Sequence, residues 1–287
     1  MAGVSDPAIA RVAGLGIHPV KSTAIRPVER ATVHPWGLAG DRRWMVVDAD
    51  GTLVSARELR ELFLVTADTP ETEPGLGAPL RLRARGFDPI DVVEPDTDLI
   101  DLRMHSNDLQ GRPAAESANT WIRDVTGRRD LRLIWCDDPT RRTFDRDWAL
   151  PSDHAPYTDS CPVTLASLSS LRQLNDWIAQ DAVERGDEPP APLPIGRFRA
   201  NVVVDGAEAF AEDGWARLRI GDVWFRQPKR VDRCVMTTIS ATDLSSTKEP
   251  IRTLARYRLA DQKTWFAVHL VPEGPGTIVV GDEVVVD

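Results

Sequence analysis

A chain of 287 residues is long for one domain and sufficient for two, and hydrophobic residues at 42% with charged residues at 28% exclude wholesale disorder. The net charge of −9 argues against a nucleic-acid partner, which requires a basic surface, but leaves room for a local basic pocket that holds a small anion. Three widely separated cysteines, Cys136, Cys161 and Cys234, with no CxxC among them, give neither a disulfide framework nor a structural zinc site.

No stretch approaches the roughly 18 apolar residues needed to cross a bilayer, and Met1–Arg11 lacks the basic-then-apolar pattern of a secretory signal. The expectation is a cytoplasmic protein with no membrane partner, in a compartment where free thiols persist. In chain order, Val12–Ile17, Arg43–Val47 and Phe63–Ala67 read as strands, with Asp48–Gly51 as a turn. The proline- and acid-rich stretches Pro70–Pro79 and Pro89–Asp98 read as loops. Helical spacing appears at Ala114–Val125, with Gly127 as its stop, and a strand follows at Leu131–Cys136. The polar run Asp137–Pro156 is expected to be a loop joining two halves. Beyond it, Pro162–Ala166 reads as a strand, Ser167–Gln180 as a helix and Glu184–Pro194 as a surface loop. Further strands are expected at Phe198–Val204, Ala216–Ile220, Val223–Arg226, Val235–Ile239, Trp265–Val271, Thr277–Val280 and Glu283–Val286, with one helix at Pro250–Tyr257. The fold class is therefore mainly β with a few helices (α+β), the second half resembling a barrel.

Phosphate-binding glycine loops, HExxH and GxSxG are all missing, and His18, His34, His105, His154 and His269 never fall at metal-ligand spacing. The informative signal is a set of short motifs in a fixed order. They are His18–Ser22 (HPVKS), Gly40–Trp44 (GDRRW), Tyr157–Ser160 (YTDS), Gly196–Asn201 (GRFRAN), Arg233–Thr238 (RCVMTT), Glu249–Arg258 (EPIRTLARYR) and Gly274–Asp282 (GPGTIVVGD). Arginine matches phosphate with a planar fork, lysine supplies a point charge, and serine, threonine and asparagine give adaptable hydrogen bonds. Lys21, Arg42, Arg199 and Arg233 are cations within these motifs, in an otherwise acidic protein. An arginine beside a thiol favours the thiolate that binds metal.

From about Arg11 to Asp287, these motifs resemble the MOSC-domain proteins that carry an N-terminal MOSC β-barrel domain, the group of the mitochondrial amidoxime-reducing component and its bacterial relatives. The resemblance implies an N-terminal domain over residues 1–140 and a C-terminal MOSC domain over residues 141–287. It implies a molybdenum cofactor (Mo-molybdopterin) between them, with Cys234 as the metal ligand. Cofactor contacts would fall on Lys21, Ser22, Arg42, Thr158, Ser160, Arg199 and Asn201, joined by Arg233 from the cationic set. Asp159 would handle a proton or position the substrate nitrogen. The implied activity is reduction of small N-hydroxylated or N-oxygenated substrates by oxygen-atom abstraction at molybdenum, with electrons from a separate ferredoxin- or cytochrome-like donor protein. The resemblance also carries a looser association with pyridoxal phosphate binding, for which no residue is nominated.

The sequence departs from the family pattern in places. Many relatives have a second cysteine three residues before the ligand, where Val231 stands here, and Ser240–Ser245 replaces a proline-and-glycine turn. The chain stops at Asp287 without a cysteine-clustered ferredoxin domain, hence the separate donor. Simpler readings stand beside these. Cys136 reads as core, Cys161 as core or site lining, Asp159 as a turn cap, and Asn201 as a partner for neighbouring backbone. Two other functions remain open: Cys234 as the carrier of a persulfide for sulfur transfer or cofactor delivery, and a non-catalytic module that holds a small anion.

Overall fold

The computed structural model describes residues 9–144 and 146–287, so most of the Met1–Arg11 segment read above lies outside the described residues. Seven strands close a barrel. In order around it they are Val163–Ser167, Val202–Asp205, Ala10–Ile17, Glu283–Val286, Arg217–Ile220, Val223–Asp232 and Lys263–Pro272, which pairs back onto Val163–Ser167. All neighbours are antiparallel except Val163–Ser167 with Val202–Asp205. Alternate residues point inward, as a half-buried strand requires. Val12, Ile17, Val163, Leu165, Val202, Val204, Leu218, Phe225, Leu270 and Val284 fill the interior. Ala10–Ile17 comes from the start of the chain, yet it is built into this barrel between strands of the C-terminal half.

A second module follows in sequence. Trp44–Val47, Arg132–Trp135, Asn107–Pro113 and Ile100–Met104 form one sheet. Thr66–Asp68, Leu80–Ala84 and Phe87–Val92 form another, and helix α1 (Glu116–Thr126) packs nearby. Gly127 ends α1 in the left-handed conformation (φ 71°) with its N–H on the Arg123 carbonyl, as its position suggested. Helix α2 (Leu168–Glu184) starts at Ser167, whose hydroxyl accepts from the Ser169 and Ser170 amides. Its Trp177 stacks on Tyr257 of helix α3 (Ile251–Tyr257), with ring centroids 4.5 Å apart. No helix of the described residues is long and apolar enough to cross a membrane.

Some expected elements differ. Phe63–Ala67 opens as a 3₁₀ turn, Arg60–Leu64, before the short strand Thr66–Asp68. Leu62 and Phe63 are both buried, which consecutive residues of a one-sided strand cannot be. Pro89 lies inside the strand Phe87–Val92 rather than in a loop. That strand is at the edge of its sheet, where a missing N–H is tolerated. Val235–Thr238 is a 3₁₀ turn, not a strand, because the Thr237 amide and hydroxyl both close onto the Cys234 carbonyl at 3.1 and 2.9 Å. Phe198–Val204 becomes a strand only at Val202, after Arg199 turns left-handed. The strands Arg26–Val28, Arg30–His34, Leu80–Ala84, Ile100–Met104 and Asn107–Pro113 gave no apolar signal, since they are largely polar and half-exposed.

Gly111 shows how the second module anchors the segment that bears Thr158–Ser160. A Cβ there would lie 2.1 Å from the Tyr157 hydroxyl and 2.9 Å from the Trp135 carbonyl. Gly111→Ala is therefore expected to lower the unfolding free energy by about 1–3 kcal/mol through overpacking, measured by denaturant unfolding, with no comparable loss for Gly77→Ala in open space.

Candidate functional site

A cleft of about 340 Å³ brings the two modules together. From the early part of the chain come Lys21, Ser22, Arg42 and Arg57. The linking segment gives Thr158, Asp159, Ser160 and Cys161, and the barrel gives Arg199, Arg233 and Cys234. Nine lysines and arginines face two aspartates along this wall, in a chain whose net charge is −9. A low-dielectric cleft lined by one sign of charge focuses its field, so this wall attracts an anion.

The backbone along this wall is strained. Ser22, Arg42 and Arg199 all adopt positive φ (72°, 49° and 53°), a conformation that costs a residue with a Cβ about 1–3 kcal/mol and that concentrates at functional sites. The two arginines are held in place by hydrogen bonds. The Arg42 amide donates to the His18 carbonyl at 2.7 Å, and the Arg42 guanidinium pairs with buried Asp41 and donates to the Asn201 side-chain Oδ1 at 3.1 Å. One Arg199 nitrogen donates to the Thr23 carbonyl at 2.8 Å. Burial, with Arg42 close by, lowers the Arg199 guanidinium to about 9. Burial also lowers Arg233 to about 10, while its Nε and one Nη donate to the carbonyls of Phe266 and Phe198. Its other nitrogen, Nη2, is buried without a partner.

Lys21 is nearly enclosed, with its side chain 7% exposed. Its Nζ donates to the Tyr157 carbonyl at 2.8 Å and to Asp159 Oδ1 at 2.5 Å. Burial pulls the Lys21 ammonium down to about 8, a fall that Asp159 limits. Asp159 lines the cleft with half of its side chain exposed. Burial alone would favour the neutral acid, but Lys21, His105 and Arg57 together hold the carboxylate well below its usual range. His105 Nε2 lies 3.1 Å from Asp159 Oδ1 and Arg57 3.5 Å from Oδ2. Behind this loop, buried Arg142 donates to the carbonyls of Pro156 and Thr158 at 2.8 and 2.6 Å, fixing the path of Thr158–Ser160.

Cys234 is half-exposed at the end of the strand Val223–Asp232, while Cys136 and Cys161 are buried. Burial pushes the Cys161 thiol up to about 12 and Cys136 up to about 11, so both are inert thiols at neutral pH. Cys161 nonetheless lines the cleft. Asn201 does not. It is fully buried, donating to the Gly16 carbonyl at 3.1 Å and accepting from the Thr164 amide and Arg42. It orients Arg42 from behind rather than offering its own atoms to a ligand. No group of three metal-ligating side chains occurs among the described residues.

With that geometry in place, the comparisons with known proteins are specific. Residues 9–129 match the MOSC N-terminal beta barrel domain and residues 153–285 the MOSC domain. Human mitochondrial amidoxime-reducing component 1 (Homo sapiens) is 30% identical over 297 residues, covering 96% of this chain and 82% of the relative. The chain belongs to the MOSC family. Mitochondrial amidoxime reducing component 2 of Rattus norvegicus is likewise 30% identical, covering 96% of this MOSC chain and 83% of that protein. Among solved structures, the YUAD protein from Bacillus subtilis aligns with a TM-score of 0.43 and 13% identity over 96% of this chain and 93% of that one.

Sequence reading nominated Lys21, Ser22, Arg42, Thr158, Asp159, Ser160, Arg199, Arg233 and Cys234, and the fold brings all of them to one cleft. It missed Arg57, Arg142, His105 and the outer cations Arg197 and Lys263. Arg57 and Arg142 sit in polar stretches, Ser55–Arg60 and Asp137–Pro156, where a charged residue reads as surface. The Lys21 amine carries its charge only below about 8, so sulfate, whose own charge is constant here, is expected to bind the cofactor-free protein more weakly as pH rises from 7 to 9. Calorimetric titration checks this, and Lys21→Met should flatten the first part of the decline.

Proposed function

We propose that this MOSC protein is a molybdenum-cofactor-dependent oxidoreductase that reduces small N-oxygenated compounds with electrons from a separate donor protein. The observation that carries the reading is one half-exposed cysteine on a wall of nine cations. Relatives about 30% identical over most of the chain, named amidoxime-reducing components, support it. The residues fit such a group. A phosphate-bearing pterin takes the donors of Lys21, Ser22, Arg42 and Arg199, and the unpartnered Arg233 Nη2 supplies another. A metal meeting a single thiolate, Cys234, would have to bring its other ligands with it, as a pterin-bound metal does. When bound, the cofactor supplies a two-electron metal centre able to accept an oxygen atom from substrate. Pyridoxal phosphate finds no support in the comparisons.

The chain's own residues divide the remaining work. Cys234 would hold the metal, and the 3₁₀ turn after it, closed by Thr237 onto the Cys234 carbonyl, fixes the backbone that carries it. Arg42 and Arg199 would grip the anionic part of the cofactor, with Asn201 and Asp41 keeping Arg42 in place. Asp159, held as a carboxylate, is a hydrogen-bond acceptor suited to the N–H of a substrate amidine. Lys21, lowered to about 8, is the neighbouring group able to hold or release a proton near neutral pH.

Metal analysis of protein made in a cofactor-competent host is expected to give about one molybdenum per chain, with loss in Cys234→Ala. A metal-free wild type would sink the reading, and cyanide-labile sulfur on Cys234 in that sample would favour persulfide transfer instead. Asp159→Asn should keep its molybdenum and lose on the order of 100-fold in kcat/KM on an N-hydroxyamidine; unchanged turnover would remove Asp159 from substrate positioning.

A further inference from the structure

The positive charge of the cleft exceeds what one phosphate-bearing group takes up. Lys21, Arg42, Arg199 and Arg233 form one set, all close to the strained backbone described above. A second set lies on the paired strands Val223–Asp232 and Lys263–Pro272, where Lys229 stands opposite His269 and Asp232 opposite Trp265. Among the described residues, Lys229 and Lys263 have no carboxylate within ion-pair distance, and Arg230 has only Asp213, at 3.9 Å.

These cations rest on aromatic faces instead. Arg230 and Lys263 lie 4.8 and 5.7 Å from the centre of the Trp265 ring, and Lys229 lies 4.4 Å from that of Trp148. An aromatic face positions a cation without cancelling its charge. At the same end His269 is 9% exposed and lines the cleft, yet its Nδ1 has no partner. Burial, with Lys229 and Arg233 nearby, lowers the imidazole to about 3, so it is a neutral hydrogen-bonding group rather than another charge. A buried polar atom left unpaired beside uncompensated cations is expensive in the free protein, and an anionic ligand relieves both costs at once.

We infer that Lys229, Arg230, Lys263 and His269 form a recognition subsite for an anionic group, a carboxylate or phosphate, carried by the N-oxygenated substrate. The inference rests on the reductase reading and narrows its substrate class: anionic N-hydroxy compounds are preferred over neutral ones. Positive charge around the subsite draws such substrates in, and the unpartnered imidazole nitrogen adds one directed hydrogen bond.

Three measurements on the holoprotein test this: kinetics on benzamidoxime and its para-carboxylate, calorimetric binding of para-carboxybenzamidine against benzamidine, and molybdenum content. The wild type is expected to favour the carboxylate substrate by about tenfold or more in kcat/KM and to bind the carboxylated amidine more tightly, with the advantage shrinking as salt rises. Lys263→Glu and Lys229→Met should each lower the anionic-to-neutral ratio by about tenfold while molybdenum is retained. A wild-type ratio near unity that neither variant changes overturns the inference. Loss of molybdenum in the variants also overturns it, because the cations would then serve a second phosphate of the cofactor. So does a defect seen only when a protein donor supplies the electrons, which would make the patch a docking surface. If the wild type holds no molybdenum or reduces neither compound, the reductase reading fails, and the amidine titration still decides the subsite.

Discussion

Like charges crowded into a partly dry cleft repel one another and lose hydration, and the site depends on how the fold tolerates that. Arg199 and Arg233 are lowered by burial but still spend part of their donor capacity on the backbone carbonyls of Thr23, Phe198 and Phe266. Those bonds fix the guanidinium planes at the wall of the cleft. Lys21 is the most enclosed of the group, and Asp159 offsets its charge at 2.5 Å. The same contact, with His105 and Arg57, keeps Asp159 ionised, so the pair sets the character of both partners. A ligand carrying negative charge would complete the compensation that the protein supplies only in part.

The chain's path explains why the charges can meet at all. The first strand, Ala10–Ile17, is locked into the barrel between Val202–Asp205 and Glu283–Val286, which brings His18–Ser22 at its end beside Arg199. The second module then returns along Trp44–Val47 and holds the Lys21 amide on the Trp44 carbonyl at 2.8 Å. Arg142 and Tyr157, anchored against that module, deliver the Thr158–Ser160 loop from the other side. The cleft therefore needs the barrel, the second module and the segment between them, and distortion of any one would move groups on the other two.

Departures from the family pattern acquire physical content in the fold. Val231, three residues before Cys234, is buried against Leu254, Phe266 and Ala267 in the core beneath α2 and α3, so its side chain contributes packing on the strand that leads to Cys234. Lys229 and Arg230, from the same segment, face the cleft instead and extend its positive wall beyond Lys21, Arg42, Arg199 and Arg233. Leu244, within the Ser240–Ser245 stretch, packs against the second module's core, and Arg60 donates to its carbonyl at 3.2 Å. The turn following Cys234 is thereby tied to both modules.

The sequence alone determined the fold class, α2, α3 and α1 with its glycine stop, and it nominated nine of the residues that line the cleft, because caps, apolar periodicity and short ordered motifs are local properties. It separated buried Cys136 from Cys234 through the apolar run around the former. It could not resolve the polar strands such as Ile100–Met104 and Asn107–Pro113, whose pairing with neighbours rather than their own side chains makes them strands. Nor could it assign Asn201, which was legible as a polar residue in a strand but whose atoms turn out to face Gly16, Thr164 and Arg42. Only the tertiary structure decided that Arg57, His105 and Arg142 converge on the Asp159 loop and that Lys229, Lys263 and His269 share one wall. Those groups lie far apart in the chain, and their charges matter to one another only through distances that folding creates.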